Sequence, residues 1–352
     1  MKAILLTAGF GSRLRPLTDI LPKCLLPING RPLLEYWFHM LANAGITSIL
    51  INLHYLALVM KEWVALTQYA ENVKMVFEEE LLGTAGTLFQ NRSFVGNEPV
   101  MLIHADNLCL TDMSAYMNAH MNRPHGTEIT MMTFKTPTPE TCGIVRVDHL
   151  GIVQAFYEKV SDPPGNLANA AVYIIEPTVM EYLTSFNKSF IDFSTEVLPK
   201  YLGKIFTYHN ASYHRDIGNL ESYLAAQVEY PQVSSTPSER NNAWALLCER
   251  NNGQLGRGIL SALTSALNVE VINAEELIAD QVDSLIQEEK PIIIHCQDVN
   301  DRFEAVLRYI EHNNLNKSNI ILFFTKVPLG FSSRELYEKT RLRSLALYSS
   351  GK

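Results

Sequence analysis

Ala3-Ile4-Leu5-Leu6 leads, through Thr7 and Ala8, into Gly9-Phe10-Gly11-Ser12-Arg13-Leu14-Arg15-Pro16-Leu17-Thr18-Asp19-Ile20-Leu21-Pro22-Lys23, and the reading of this stretch decides the fold. A short apolar run bounded by a glycine-rich turn reads as a buried strand, and the turn reads as an anion loop. Gly9 and Gly11 are expected to take backbone angles closed to other residues, so that the chain wraps an anion with its N–H groups pointing inward. Arg13 and Lys23 add positive charge, which makes a triphosphate the natural guest. A GxG after a strand also occurs in dinucleotide-binding folds and in plain turns. Here no third glycine stands at the dinucleotide spacing, and no GK[ST] marks a P-loop.

Outward from this stretch, short apolar runs alternate with amphipathic segments as far as about residue 230. Residues 48–53, 73–77 and 100–104 read as strands, with helices over 32–44 and 55–69 between them. Further, shorter strands are expected at 130–135, 144–147, 152–157 and 170–175. The β-α-β rhythm predicts an α/β fold: a Rossmann-like, mixed but mostly parallel sheet flanked by helices, with ligands at the carboxyl ends of the strands. Residues 231–242, rich in Ser and Pro, read as a linker. Beyond it, 243–352 reads as a second, smaller α/β domain, with strands at 269–272, 291–294 and 319–324 and helices at 274–288 and 302–312.

The chain has 352 residues, 47% hydrophobic and 19% charged, the composition of a globular protein with a sizeable core. Its net charge of -8 argues against general binding to nucleic acid or to an anionic membrane, so anionic substrates must be held by local basic groups. The first apolar run breaks at Gly9, too short for a signal-peptide core, and a cytoplasmic protein is expected. Five scattered cysteines contain no CxxC pair, which points away from a disulfide framework and from a thiolate zinc site.

Together with Pro27-Ile28-Asn29-Gly30-Arg31-Pro32-Leu33, the opening stretch resembles the GxGTRLxPLT…PKxLLP signature of the sugar-1-phosphate nucleotidylyltransferases, with Ser12 in place of the usual Thr. The resemblance spans about residues 1 to 230 and implies the joining of a nucleoside triphosphate to a sugar 1-phosphate, with release of pyrophosphate. That reaction sets one anion against another. It needs positioning, basic side chains and a divalent cation rather than a covalent nucleophile. The family pattern implies Arg13 and Lys23 as the catalytic cations on the triphosphate. It also implies Ala8, Gly9, Gly11 and Ser12, with Gly83, Thr84 and Ala85 of Leu82-Gly83-Thr84-Ala85-Gly86, as nucleotide-binding residues. The glycines of that second loop are expected to admit the base and sugar.

Asp106, in His104-Ala105-Asp106-Asn107, resembles the Asp of the family's GD motif, with Ala105 replacing the glycine. Asp216, in Arg215-Asp216-Ile217-Gly218, resembles that of its DIGTP segment. Two carboxylates from distant parts of the chain can chelate one hard cation, so the resemblance implies Mg²⁺ as cofactor, held by Asp106 and Asp216. Either Asp alone also reads as a turn former or helix cap. Glu158-Lys159, where Val160 replaces a family proline, resembles the EKP motif that holds the sugar phosphate. Asn169-Ala170-Ala171-Val172-Tyr173 resembles the NAGIY strand, with Ala171 in place of glycine. Gly143 matches a YGxV position. Gly143, Glu158, Lys159 and Asn169 are thus the implied sugar-phosphate residues.

Asp192-Phe193-Ser194-Thr195-Glu196-Val197-Leu198-Pro199 is most similar to members that use GTP with mannose- or heptose-type sugar phosphates and serve polysaccharide or glycan synthesis. Two rivals stay open: the same reaction with UTP or dTTP and a glucose-type sugar, and a nucleotide-sugar sensor without turnover. A homo-oligomer is compatible with the sequence, which sets no oligomeric state. His295-Cys296 through Arg302 has the formal HCx5R spacing of cysteine phosphatases. Its loop lacks glycine and carries two acids that would repel a phosphate, so a buried strand-end cysteine is the expectation there.

Overall fold

The β-α-β pattern produces four parallel strands and the helices that cover them: β1 (Lys2–Leu6), α1 (Leu33–Asn43), β4 (Ile49–Leu53), α2 (Ala57–Ala65), β5 (Val73–Phe77), α3 (Gly83–Gln90), α4 (Arg92–Val95) and β6 (Val100–His104). The short strands β2 (Pro27–Ile28) and β3 (Arg31–Pro32) pair with each other. Later come β7 (Asn107–Leu110), α5 (Met113–Met121), β8 (Ile129–Lys135), β9 (Gly143–Val147), β10 (Val153–Glu158), β11 (Leu167–Ile175), α6 (Pro177–Leu183), β12 (Ile205–His209), β13 (Tyr213–Asp216) and α7 (Leu220–Val233). The computed structural model describes residues 1–233 except 16, 20, 29 and 30, together with the strand segments 246–249, 271–273, 292–296, 320–327 and 343–349.

The described chain gathers into two compact units, Met1–Phe10 with Leu34–Asp216, and Gly11–Leu33 with Ile217–Lys352. In the first, the parallel strands stand in the order β6-β1-β4-β5. The apolar runs of β1, β4 and β6 are buried, as inner strands covered on both faces require, whereas β5 at the edge is buried only at Val73. Antiparallel β11 joins the edge at β6 and carries β9 and β8; β10 pairs with β9 and β12 with β8. The expected mixed sheet is therefore present, and each expected strand through 175 forms within one to three residues of its predicted ends. In the second unit, β14 (Leu246–Glu249), β15 (Val271–Asn273), β16 (Ile292–Cys296), β17 (Ile320–Val327) and β18 (Arg343–Ser349) make a parallel sheet ordered β14-β18-β17-β16-β15. The helices expected at 274–288 and 302–312, and the HCx5R loop past Cys296, lie outside the described residues.

The core of the first unit packs Ile4, Leu50, Leu102 and Tyr173 of the sheet against Leu88 of α3 and Val179 and Leu183 of α6. A polar tie crosses its edge. The buried His120 of α5 contacts Thr130 Oγ1 through Nδ1 at 2.7 Å and Glu176 Oε1 through Nε2 at 3.0 Å, and Arg123 donates to the same carboxylate oxygen. Burial, helped by the Arg123 charge, pushes the imidazole down to about 4. With the unfolded value near 6.5, the unfolded chain binds the extra proton between these pH values, so stability is lost as pH falls through that window. Acidification from pH 7 to 4 is expected to cost about 3 kcal/mol from this residue, at about 1.36 kcal/mol per pKa unit. Urea titrations at both pH values check this; His120→Gln should flatten the dependence.

Candidate active site

The loops after the parallel strands β5 and β6 carry Gly83 and Asp106 at the carboxyl ends of the sheet. After β6 the chain turns through Ala105 and Asp106 into β7, which pairs antiparallel with β13 in a register that sets Asp216 opposite Asn107. Two acids 110 positions apart in sequence are thereby brought within one residue of the same rung. The turn is anchored from both sides: Ala105 N–H donates to Leu6 O at 3.2 Å, and the fully buried Trp37 of α1 donates its indole N–H to Asn107 O at 3.0 Å. Ala105 lies outside the left-handed region and is fully buried, so its methyl fits where the related motif has glycine. His214, opposite Cys109 in the same ladder, feels the Asp106 carboxylate. Burial pushes its imidazole down to about 3 against that field, and its Nδ1 has neither solvent nor a hydrogen-bond partner among the described residues.

The second glycine loop packs against the chain's own backbone. Gly83 opens α3 at φ +73°, and a Cβ there would meet Ile191 O at 2.5 Å; one on Gly86 would strike the carbonyl oxygen of Ser189. Ala85 and Gly86 donate their N–H groups to Ile191 O at 2.9 and 3.1 Å, and Ile191 N–H returns to Leu82 O at 2.9 Å. The described close approach is therefore of one backbone to another, and Ala85 itself is fully buried. Thr84 Oγ1 accepts from Phe193 N–H at 2.7 Å and donates to Asp192 Oδ2 at 3.4 Å, which stitches the loop to the Asp192–Val197 turn.

Sequence reasoning missed the network beneath this loop. Glu78, 5% exposed at the end of β5, accepts on Oε1 from Asn52 Nδ2 at 3.0 Å and Thr87 Oγ1 at 2.6 Å, and on Oε2 from Leu82 N–H at 3.3 Å. Asn52 Oδ1 in turn accepts from Thr7 N–H at 2.8 Å. A buried carboxylate is tolerated because these donors replace water. The chain ends of β1, β4 and β5 and the start of α3 are thereby tied together. The signal available in sequence was Asn52, a polar residue inside the apolar run Ile49–Leu53.

On the opposite side of the sheet, Gly143 pairs with Glu158 across β9 and β10. A Cβ on Gly143 would stand 2.7 Å from both Glu158 Oε2 and Phe156 Cζ, so a side chain there would displace the ends of those two side chains. Lys159 follows at φ +49° with its N–H bonded to Cys142 O at 3.2 Å; its exposed Nζ lies 3.5 Å from Glu158 Oε1. β11 bulges between Asn169 and Tyr173, placing Ala171 at φ +54°. The Asn169 side chain holds this bulge, accepting from Ala171 N–H at 2.9 Å and donating to Tyr173 OH at 2.6 Å. Tyr173 OH also bonds Ser194, and its titration is raised by burial, opposed by these two hydrogen bonds and reinforced by the Glu158 and Asp192 charges. Ala171 thus occupies a conformation that glycine adopts without strain, at a cost of roughly 1 kcal/mol.

Ala8 and Gly9 belong to the first unit. Ala8 is buried and Gly9 is not at positive φ, which corrects the expected left-handed role for that glycine. A Cβ on Gly9 would meet nothing within 4 Å, so its backbone is open to a ligand. Gly11 and the segment after it belong to the second unit. There Gly11 has φ +60°, and a Cβ on it would meet Thr18 Cγ2 at 2.9 Å and Lys23 Cβ at 3.1 Å. Thr18 Oγ1 donates to Gly11 O at 2.9 Å, closing the loop over the helical turn Ser12–Leu14. Lys23 is 8% exposed in the turn Lys23–Leu25, whereas Ser12 and Arg13 are exposed.

A covered, mixed sheet with glycine turns and a carboxylate pair at its strand ends defines an α/β ligand-binding domain of Rossmann-like type. The family model described as nucleotidyl transferase matches residues 2–233, and the chain belongs to that family. It is similar to the mannose-1-phosphate guanyltransferase of Pichia angusta, 31% identical over 238 residues that cover 65% of this chain and 64% of the relative. It is also similar to the mannose-1-phosphate guanylyltransferase of Mycobacterium tuberculosis, 29% identical over 68% of this chain and 67% of that protein. The chain thus spans about two thirds of the length of these relatives. Among solved structures, HddC from Yersinia pseudotuberculosis complexed with GMP-PN matches 65% of this chain and 99% of its own, with TM-score 0.56 and 22% identity. UDP-glucose pyrophosphorylase complexed with UDP-glucose matches 66% and 98%, with TM-score 0.55 and 21% identity. These two share the fold.

Proposed function

We propose that the chain condenses GTP with a mannose- or heptose-type sugar 1-phosphate, giving a nucleotide sugar and pyrophosphate. The observation that supports this reading is the β7–β13 register, which sets Asp216 opposite Asn107, the residue after Asp106. Their donor set, hard carboxylate oxygens, fits Mg²⁺, which when bound neutralises charge between phosphates. GTP as the nucleotide and mannose-type sugars draw support from the names of the similar relatives and from the GMP-PN complex of HddC.

In this reading a phosphate oxygen of the sugar phosphate attacks the α-phosphorus of the triphosphate; the new P–O bond forms as the bond to pyrophosphate breaks. Arg13 and Lys23 hold the triphosphate, and Lys23 also stabilises charge at the α-phosphorus. Ala8, Gly9, Gly11 and Ser12, with the loop from Gly83, frame the nucleotide. Lys159 holds the sugar phosphate, while Glu158 and Asn169 take sugar hydroxyls and Gly143 leaves room for them. No helix among the described residues is long and apolar enough to cross a membrane. We place the reaction in the cytoplasm, where nucleoside triphosphates are kept.

Pyrophosphate release with Mg²⁺ over a grid of GTP, ATP, UTP, CTP and dTTP against mannose-, heptose- and glucose-1-phosphates tests this. GTP with a mannose or heptose phosphate is the expected pairing. Turnover confined to UTP or dTTP with glucose 1-phosphate would replace the substrates while keeping the reaction. A folded protein that binds nucleotide sugar yet is silent across the grid would leave a sensor.

A further inference from the structure

A cleft of about 310 Å³ opens where β8, β12 and β13 meet, lined among others by Phe134, Lys135, His209, Asn210, Ser212 and His214. None of the residues assigned above to nucleotide, metal or sugar phosphate lines it. β12 runs parallel to β8 with His209 opposite Thr133, so the cleft lies at the carboxyl ends of two parallel strands, where open α/β sheets hold ligands.

Its charge is one-sided. The lining contains no Asp or Glu, although the chain as a whole is at -8. Lys135 is exposed and pairs with no carboxylate among the described residues, and His209 is exposed beside it. The loop between them and β13 is held in place by Asn210. Its amide donates to Tyr213 O at 3.1 Å and Cys109 Sγ at 3.4 Å, and its Oδ1 accepts from Ser212 N–H at 3.0 Å. With Asn210 so engaged, the charged group left to meet a guest is the Lys135 ammonium, and the His209 imidazole and the Ser212 hydroxyl can each donate beside it. A cation flanked by groups able to donate, with no carboxylate in the lining, suits an oxyanion.

The cleft also adjoins the carboxylate pair. The His214 ring packs on Phe134 with centroids 4.2 Å apart, and His214 stands opposite Cys109, two residues before Asp216 on the same strand. We infer that this cleft is an oxyanion subsite that receives a second phosphate or carboxylate carried by the sugar 1-phosphate. The substrate half of this inference rests on the activity proposed above; the subsite half does not.

Two measurements on the full chain separate them. With ¹⁵N-labelled histidine, inorganic phosphate is expected to shift the His209 imidazole saturably, about fivefold more weakly in Lys135→Gln. Lys135 is exposed, so that variant retains the fold. No saturable shift, or one unchanged in Lys135→Gln, overturns the subsite. Calorimetry then compares a hexose 1,6-bisphosphate with the hexose 1-phosphate. At least tenfold tighter binding of the bisphosphate, lost in Lys135→Gln, supports the substrate source. Equal binding overturns it and leaves a free anion as the occupant. A phosphate response in a protein silent across the nucleotide grid would sink the proposed activity while sustaining the subsite.

Discussion

Asp106→Asn is expected to lower pyrophosphate release about 10³-fold, with folding intact, and Asp216→Asn to do nearly the same. Asparagine preserves the shape of each side chain, and the ladder that presents the pair depends on backbone hydrogen bonds, so the loss falls on charge alone. If both acids serve one cation, the double variant should be scarcely slower than either single one, because groups that act as a unit are not additive. Pyrophosphate assays over a Mg²⁺ titration, with circular dichroism to verify folding, give the answer. Near-normal turnover in either single variant would remove that residue from the metal pair.

Gly86→Ala should cost about 1–3 kcal/mol of stability, which for a unit of this size corresponds to a fall in Tm of roughly 2–12 °C. The added methyl collides with a backbone carbonyl, that of Ser189, which cannot rotate away like a side chain. Because α3 is joined to the same segment through Ile191 O, the strain falls on the helix start as well. Calorimetry on the variant checks this. A Tm within a degree of the parent would show that the 189–191 backbone gives way freely.

The opening strand, the helices around 33–43 and 57–65 and the parallel strands were legible because buried runs and amphipathic faces leave a period in the sequence. Asn107–Leu110 and Tyr213–Asp216 left none. Each is four residues long and takes its strand form only from the other, about a hundred positions away, so the pairing that unites the two acids could be guessed only through resemblance. Glycines 83, 86 and 143 were visible as motif residues, but the neighbours a Cβ would meet come from the Ser189–Ile191 backbone and from the side chains of Phe156 and Glu158. Nor does a sequence report the sign of φ. Ala105 and Ala171 look like equal departures from a glycine pattern, yet only Ala171 bears the strain.

The β7–β13 ladder has a further consequence for descent with modification. Main-chain bonds over four rungs set Asp216 opposite Asn107, next to Asp106, so the side chains on those rungs are released from that duty. Side chains on those rungs can therefore change what lies beside the carboxylates while the main chain keeps the register. Preference and chemistry are then separately heritable.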